Sequence, residues 1–134
     1  MKLDLKDSYH LIWIKKGDEW ETSFRTRYGQ SKYKVIPFGL VNAAATFQRT
    51  MNKTLRKFLD QGLVVYLDDI FIYSRTHAEH VAIVKKVLWG LMEHELVVSI
   101  RKSEFHVKAV EFQGYIVATD GVTMRTRKVN SIRK

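Results

Sequence analysis

The residues best placed to do chemistry are two neighbouring carboxylates, Asp68 and Asp69, preceded by Tyr66-Leu67. They lie between two apolar runs, Leu63-Val64-Val65 and Ile70-Phe71-Ile72, whose β-branched and aromatic content marks two buried strands. The acidic pair then falls at the turn of a hairpin. Two like charges held close together are costly unless something positive compensates them, and a divalent metal is the usual solution. A plain turn explains the same residues, because Asp suits turns through its local hydrogen bonds. The hairpin alone leaves both readings open.

Composition narrows the setting. A chain of 134 residues, 46% hydrophobic and 12% aromatic, is long and apolar enough for one folded domain with a real core. It has no cysteine, which excludes disulfides, a thiol nucleophile and a cysteine zinc site. The apolar runs are far short of a membrane span and no signal peptide opens the chain, so no membrane partner is expected. The expected location is intracellular, in a cytoplasmic particle or the nucleus. A net charge of +9 favours polyanions, chiefly nucleic acid, and five of the surplus positive charges fall between Arg101 and Lys134. A solubilising surface would have the same composition. Carboxylates set in a basic surface point to a metal enzyme working on a polyphosphate backbone.

The elements that must position these groups follow from the pattern along the chain. Short strands are expected at Lys2–Leu5, Leu11–Ile14, Trp20–Thr26 and Lys32–Ile36, with turns at Lys16–Glu19 and Tyr28–Gln30, before Pro37 and Gly39 break the pattern. Asn42 caps a helix whose Phe47, Met51, Leu55 and Phe58 form one apolar stripe, running to about Leu59. Thr76 and Glu79 form a capping box for a second helix. Strands follow at Val97–Ile100 and Val110–Val117, the latter interrupted by Gly114, then a turn at Asp120-Gly121 and a basic tail. Strand, insertion, helix, hairpin, helix, strand is a split βαβ order, an α+β ferredoxin-like antiparallel sheet with two helices on one face. In such a sheet the first strand pairs beside the hairpin. Asp4 then converges on Asp68, and three carboxylates at one sheet end can hold two Mg²⁺ ions for phosphoryl transfer. His77 and His80 share a helix start but lack a third metal ligand, and Trp13, Trp20 and Trp89 are expected to pack.

Over nearly its whole length the chain resembles the palm and part of the fingers of a Ty3/gypsy-type (Metaviridae) retrotransposon reverse transcriptase. The resemblance is carried in order by Lys2-Leu3-Asp4-Leu5 with Tyr9-His10, by Val35-Ile36-Pro37-Phe38-Gly39-Leu40 with Asn42-Ala43 and Thr46-Phe47-Gln48, and by Val65-Tyr66-Leu67-Asp68-Asp69-Ile70. Glu79-His80-Val81, Ser103-Glu104-Phe105-His106 and Glu111-Phe112-Gln113-Gly114-Tyr115 complete it.

The resemblance implies a reverse-transcriptase domain fragment of a Pol polyprotein over residues 1–134. Residues 1–9 and 41–118 would be palm, 10–40 a partial β-rich fingers insertion, and 119–134 a basic tail toward a missing thumb. It implies metal-dependent nucleotidyl transfer from a dNTP to a primer 3′-hydroxyl on an RNA or DNA template. Asp4, Asp68 and Asp69 would hold two Mg²⁺ ions, with Mn²⁺ as a substitute. Lys102 would be the general acid for pyrophosphate. Tyr9 would be the steric gate against a 2′-hydroxyl, Phe38 and Gly39 would meet the nascent base pair, and Tyr66 the primer terminus. Gln113, Gly114 and Tyr115 would hold the primer backbone.

Several positions depart from the family pattern: Ala44 replaces a proline, Ser103 a cysteine and Gln113 a leucine, and Arg125-Thr126 stands where Asp-Pro is common. The alternative expectation is a catalytically inactive retroelement remnant that binds nucleic acid, or that self-associates through hydrophobic surface left by missing subdomains.

Overall fold

The computed structural model describes residues 1–126 together with Asn130 and Ser131. Its strands are β1 (Lys2–Asp4), β2 (Phe24–Thr26), β3 (Gly29–Ser31), β4 (Leu63–Tyr66), β5 (Asp69–Ile72), β6 (Ala109–Phe112), β7 (Tyr115–Ala118) and β8 (Gly121–Met124). Its α-helices are α1 (Ala43–Thr54) and α2 (His77–Glu93).

The two apolar runs around the acidic pair form β4 and β5, as their composition requires. They pair antiparallel from Leu63↔Ile72 to Tyr66↔Asp69, and β1 pairs with the other edge of β5, so the sheet order is β1-β5-β4. Side chains alternate across a strand. Leu3, Ile70 and Val65 lie opposite one another and are buried, as are Leu63 and Ile72. Phe47 and Met51 of α1 and Val84, Val87 and Leu91 of α2 join them in one core. The register therefore sends Lys2, Asp4, Asp69 and Tyr66 to the opposite face.

α2 starts where its capping box predicts. The Thr76 hydroxyl accepts from the Glu79 N–H at 3.2 Å, and the Glu79 carboxylate accepts from the Thr76 N–H at 3.3 Å. α1 ends at Thr54 rather than near Leu59; Leu55 and Phe58 still contribute to the core from the turns that follow.

Five strand expectations are corrected. Leu11–Ile14 begins in a 3-10 turn (Ser8–Leu11), entered through Asp7 at φ 49°, and pairs only through a single Trp13↔Val35 bridge. That bridge is all that forms of the Lys32–Ile36 strand. Trp20–Thr26 is half 3-10 turn (Glu19–Thr22) and half β2, while Gly29, expected in a turn, opens β3. These segments expose Trp13, Trp20 and Tyr28, so they bury too little apolar surface to extend the ladder. Val97–Ile100 is also reduced to one bridge, Leu5↔Val98, flanked by hydrogen bonds from Lys6 N–H to Val97 O (2.8 Å) and from Ser99 N–H to Asp4 O (2.8 Å).

Val110–Val117 is two strands. Gln113 (φ 53°) and Gly114 (φ 77°) form a two-residue turn with both φ positive, as a type I′ hairpin demands. The start of the expected basic tail is a further strand, β8, which completes a sheet of order β6-β7-β8. Residues 127–129 and 132–134 of that tail lie outside the described residues. The tryptophans expected to pack are largely exposed, Trp89 by 63%.

Candidate active site

β1 and β5 place Asp4 directly opposite Asp69, and Tyr66 opposite Asp69 on the far side, so the three side chains share the face away from the core. Asp68 lies in the two-residue loop between β4 and β5, and its carbonyl accepts from the Leu5 N–H at 3.1 Å. Leu67, the other loop residue, adopts φ 52°, a conformation a branched side chain avoids unless its surroundings enforce it. Two things enforce it here. The Leu67 side chain packs on the core, and Gln48 of α1 clasps the loop: its Oε1 accepts from the Leu67 N–H at 2.6 Å and its Nε2 donates to the Val65 carbonyl at 3.1 Å.

Asp4 is the electrostatic centre of this face. Its side chain is 17% exposed, and its Oδ1 is buried without a hydrogen-bond partner. Lys102 Nζ lies 3.9 Å from that oxygen, close enough for attraction but too far for a hydrogen bond. Burial raises the Asp4 pKa above its usual value; the Lys102 charge opposes this, and the charges of Asp68 and Asp69 reinforce it. The backbone N–H of Asp4 donates to Ser103 Oγ at 3.1 Å, and that hydroxyl in turn donates to the Ser99 carbonyl at 2.7 Å.

Asp69 is held differently. Lys2, two residues before Asp4 on the same face, places Nζ 3.1 Å from Asp69 Oδ1, with both side chains about one-fifth exposed. The carboxylates are therefore near neighbours but do not converge on one point, and among the described residues no three His, Asp or Glu side chains meet as a ready metal centre. The donor set nonetheless fits a hard divalent cation. It is all oxygen, and its innermost member is an orphaned carboxylate oxygen.

The aromatic residues gather beside it. Tyr9 stacks on Phe47, with ring centroids 4.6 Å apart and planes at 17°, and meets Phe38 at 5.3 Å. Burial raises the Tyr9 pKa, with further contributions from the Asp68 charge and from Tyr66, which places its hydroxyl within electrostatic reach of both. Phe38 is 72% exposed and also meets His10 edge-on at 5.2 Å. Gly39 follows at φ 94°, and a Cβ there would meet nothing in the chain within 4 Å, so its backbone is open to approach.

Gln113, Gly114 and Tyr115 stand at the β6–β7 hairpin tip. The hairpin is joined to the site face through Phe112 and Phe71, whose rings lie 5.5 Å apart. The fold thus gathers Asp4, Asp68, Asp69, Lys102, Tyr9 and Tyr66 directly, and brings in the hairpin tip at one remove.

Sequence reasoning assigns no role to Lys2, Gln48 or Ser103. For Lys2 the alternation with Asp4 is a usable signal; the other two act on backbone groups distant in sequence, which no local pattern shows. His106 is missed as well. It brings a third imidazole to His77 and His80, at 5.4 Å from each ring, beside a cavity of about 590 Å³.

Comparison with known proteins bears on the family of the chain. Residues 1–117 match the family model described as reverse transcriptase (RNA-dependent DNA polymerase). The chain is 40% identical over 131 residues to the transposon Tf2-3 polyprotein of Schizosaccharomyces pombe, covering 98% of this chain and 10% of that one, and 39% identical to the Tf2-7 polyprotein. It spans about a tenth of the length of these relatives. Among solved structures it superposes on the foamy viral protease-reverse transcriptase in complex with RNA/DNA hybrid (TM-score 0.85, 28% identity, 99% of this chain and 18% of that one). The form of the same protein in complex with double-stranded DNA gives a TM-score of 0.86 at 28% identity, covering 99% of this chain and 23% of that one. The chain belongs to the reverse transcriptase family, with relatives among the Ty3/gypsy-type retrotransposons.

Proposed function

We propose that this chain is the catalytic core of an RNA-directed DNA polymerase, joining a dNTP to a primer 3′-hydroxyl on an RNA or DNA template. The observation that carries the reading is the buried Oδ1 of Asp4, which has no hydrogen-bond partner and only the Lys102 ammonium at 3.9 Å, set across the strand pair from Asp69 and within the field of Asp68. Such an oxygen is costly unless a cation completes it.

In the palm reading, residues 1–9 and 41–118 supply the split βαβ sheet and its helices, 10–40 part of the fingers, and 119–134 the approach to a thumb. The order β1-β5-β4, with Val98 bridged to Leu5 on the outer side of β1, supports it.

Asp4 and Asp68 would be the principal ligands of two Mg²⁺ ions, or Mn²⁺ in their place, with Asp69 joining once Lys2 yields it. When bound, the ions supply a lowered pKa for the primer hydroxyl and neutralise the triphosphate. The 3′-hydroxyl would give up its proton to solvent as its oxygen forms the bond to the α-phosphorus and the bond to pyrophosphate breaks. Lys102, exposed and with its Nζ 3.9 Å from Asp4 Oδ1, would give the departing pyrophosphate a proton. Tyr9, braced by Phe47, would lie under the sugar and leave no room for a 2′-hydroxyl. Phe38 and the open backbone of Gly39 would meet the nascent base pair. Tyr66 would contact the primer terminus, and Gln113, Gly114 and Tyr115 the primer backbone.

Primer extension on a poly-rA/oligo-dT substrate with Mg²⁺ or Mn²⁺ tests this directly. The wild-type chain is expected to extend the primer, and Asp68→Asn to lose at least about a hundredfold in rate. No extension by folded wild-type chain would sink the polymerase reading. Duplex binding that survives in both proteins would then leave a nucleic-acid-binding remnant.

A further inference from the structure

The helix layer carries a second basic feature that the polymerase reading leaves unused. α2 turns Val84, Val87 and Leu91 into the core. That commitment leaves Lys85, Lys86 and Trp89 on its outer side. α1 likewise buries Phe47 and Met51, and just beyond them Lys53, Arg56 and Lys57 face outward. At Gly90 the two segments are in contact range: a Cβ there would lie at ordinary van der Waals distance from Phe58 (3.8 Å) and Leu55 (3.9 Å).

The result is a groove of about 800 Å³ bordered by both cationic rows. Its acidic member, Glu93, accepts a hydrogen bond from the Trp89 indole N–H at 3.1 Å, and among the described residues none of the five lysine and arginine side chains is ion-paired. Trp89 is mostly exposed at the groove.

Two properties coincide here. Unpaired cations in two rows favour a chain of phosphates over a single anion. An exposed indole among them offers a face on which an unpaired base can stack, which neither inorganic phosphate nor a base-paired duplex exploits. The sheet separates this groove from Asp4 and Asp69, which lie on its other face.

We propose that the groove between α1 and α2 is a binding surface for single-stranded nucleic acid, distinct from the carboxylate site, with Lys85 and Lys86 on the phosphates and Trp89 stacked on a base. The proposal does not depend on polymerase activity.

It is tested by fluorescence anisotropy of a labelled oligodeoxythymidylate with the full chain, without divalent metal, over a series of salt concentrations. The double substitution Lys85→Glu/Lys86→Glu is expected to weaken binding about tenfold or more, and to flatten the logarithmic salt dependence by about 0.7 for each phosphate that is no longer neutralised. Trp89→Leu is expected to weaken it about fivefold or more, and oligonucleotide to quench Trp89 emission in a Trp13→Phe/Trp20→Phe background. Thermal melts of each variant confirm that it is folded.

Unchanged affinity in both groove variants would overturn the proposal. So would competition by polyglutamate as effective as by oligonucleotide, since the groove would then be a surface for acidic peptides. Duplex binding as tight as single-strand binding, with no effect of Trp89→Leu, would overturn it too.

Discussion

Lys2 Nζ sits 3.1 Å from Asp69 Oδ1 across the β1–β5 pair, so the ammonium group occupies part of the volume in which a cation bound by Asp69 would lie. The pair is mostly shielded from solvent, and breaking it leaves a poorly compensated carboxylate. Lys2→Met is therefore expected to cost about 1 kcal/mol of stability in the presence of a chelator. Added Mg²⁺ should recover that loss, giving a larger rise in melting temperature than in wild type. Melts with and without Mg²⁺ measure both; equal Mg²⁺ responses would show that Lys2 and the metal do not compete.

Asp4 gives the pH dependence. Its folded-state pKa is raised, first by burial, above its value in the unfolded chain. The folded state therefore holds the proton more tightly. This contribution to stability is fully present below the ordinary aspartate range and is lost as pH rises through the raised pKa. With chelator present, Asp4→Asn should melt a few degrees above wild type at neutral pH. The difference should vanish below the usual aspartate pKa of 3.8. Melting curves across that range decide it; a variant less stable than wild type at neutral pH would contradict the assignment.

Gln48 holds the loop that carries Asp68 by two hydrogen bonds to the backbone, at Val65 and Leu67, and a third to Asn52 steadies its own side chain. Gln48→Ala leaves the Leu67 N–H without that partner at a strained φ, and should cost about 1–3 kcal/mol. Under the polymerase reading kcat should fall while the KM for dNTP changes little, because the substitution moves the carboxylates and touches no nucleotide. A KM effect alone would place Gln48 on the substrate instead.

Tyr9 is braced on Phe47 and Phe38, so its ring position is fixed before any nucleotide arrives. Tyr9→Ala should raise the incorporation of ribonucleotides relative to deoxyribonucleotides, at a stability cost of about 1 kcal/mol from the lost stacking. Tyr9→Phe, which keeps the ring, should retain discrimination. Primer extension with matched rNTP and dNTP pairs reads both.

Where burial and chemistry agree locally, the sequence is readable. The strands flanking Asp68-Asp69 and the Thr76–Glu79 capping box arise from residues close in sequence, and each forms; the apolar stripe of α1 forms at Phe47 and Met51, while Leu55 and Phe58 lie past the helix end. The pairing of Asp4 with the hairpin follows from strand order alone, although the expected partner is Asp68 and the register sets Asp69 opposite it. The segments from Leu11 to Ile36 alternate like strands but leave Trp13 and Trp20 exposed, and alternation without a surface to cover makes only short ladders. The local pattern hides the β6–β7 turn, because Gln113 is not a residue that favours positive φ and one strand is expected where two form; only the resemblance of Glu111–Tyr115 to a primer-grip hairpin announces it. Ser103 under Asp4, and His106 beside His77 and His80, are meetings of distant segments that no local pattern announces.

The strand that carries Asp4 is also the hardest to complete during synthesis. The amino group of Met1 donates to the Ile72 carbonyl 71 residues away, and the Asp4 N–H reaches Ser103 across 99. β1 must remain unpaired on the growing chain until β5 has emerged, and its outer edge until Ser103 has. At about 5–20 residues per second this is an interval of seconds, in which β1 has no partner and Leu3 no core to enter. Closing such long loops is what slows a fold of this topology, so refolding of the chain should be limited by the docking of β1 rather than by either helix.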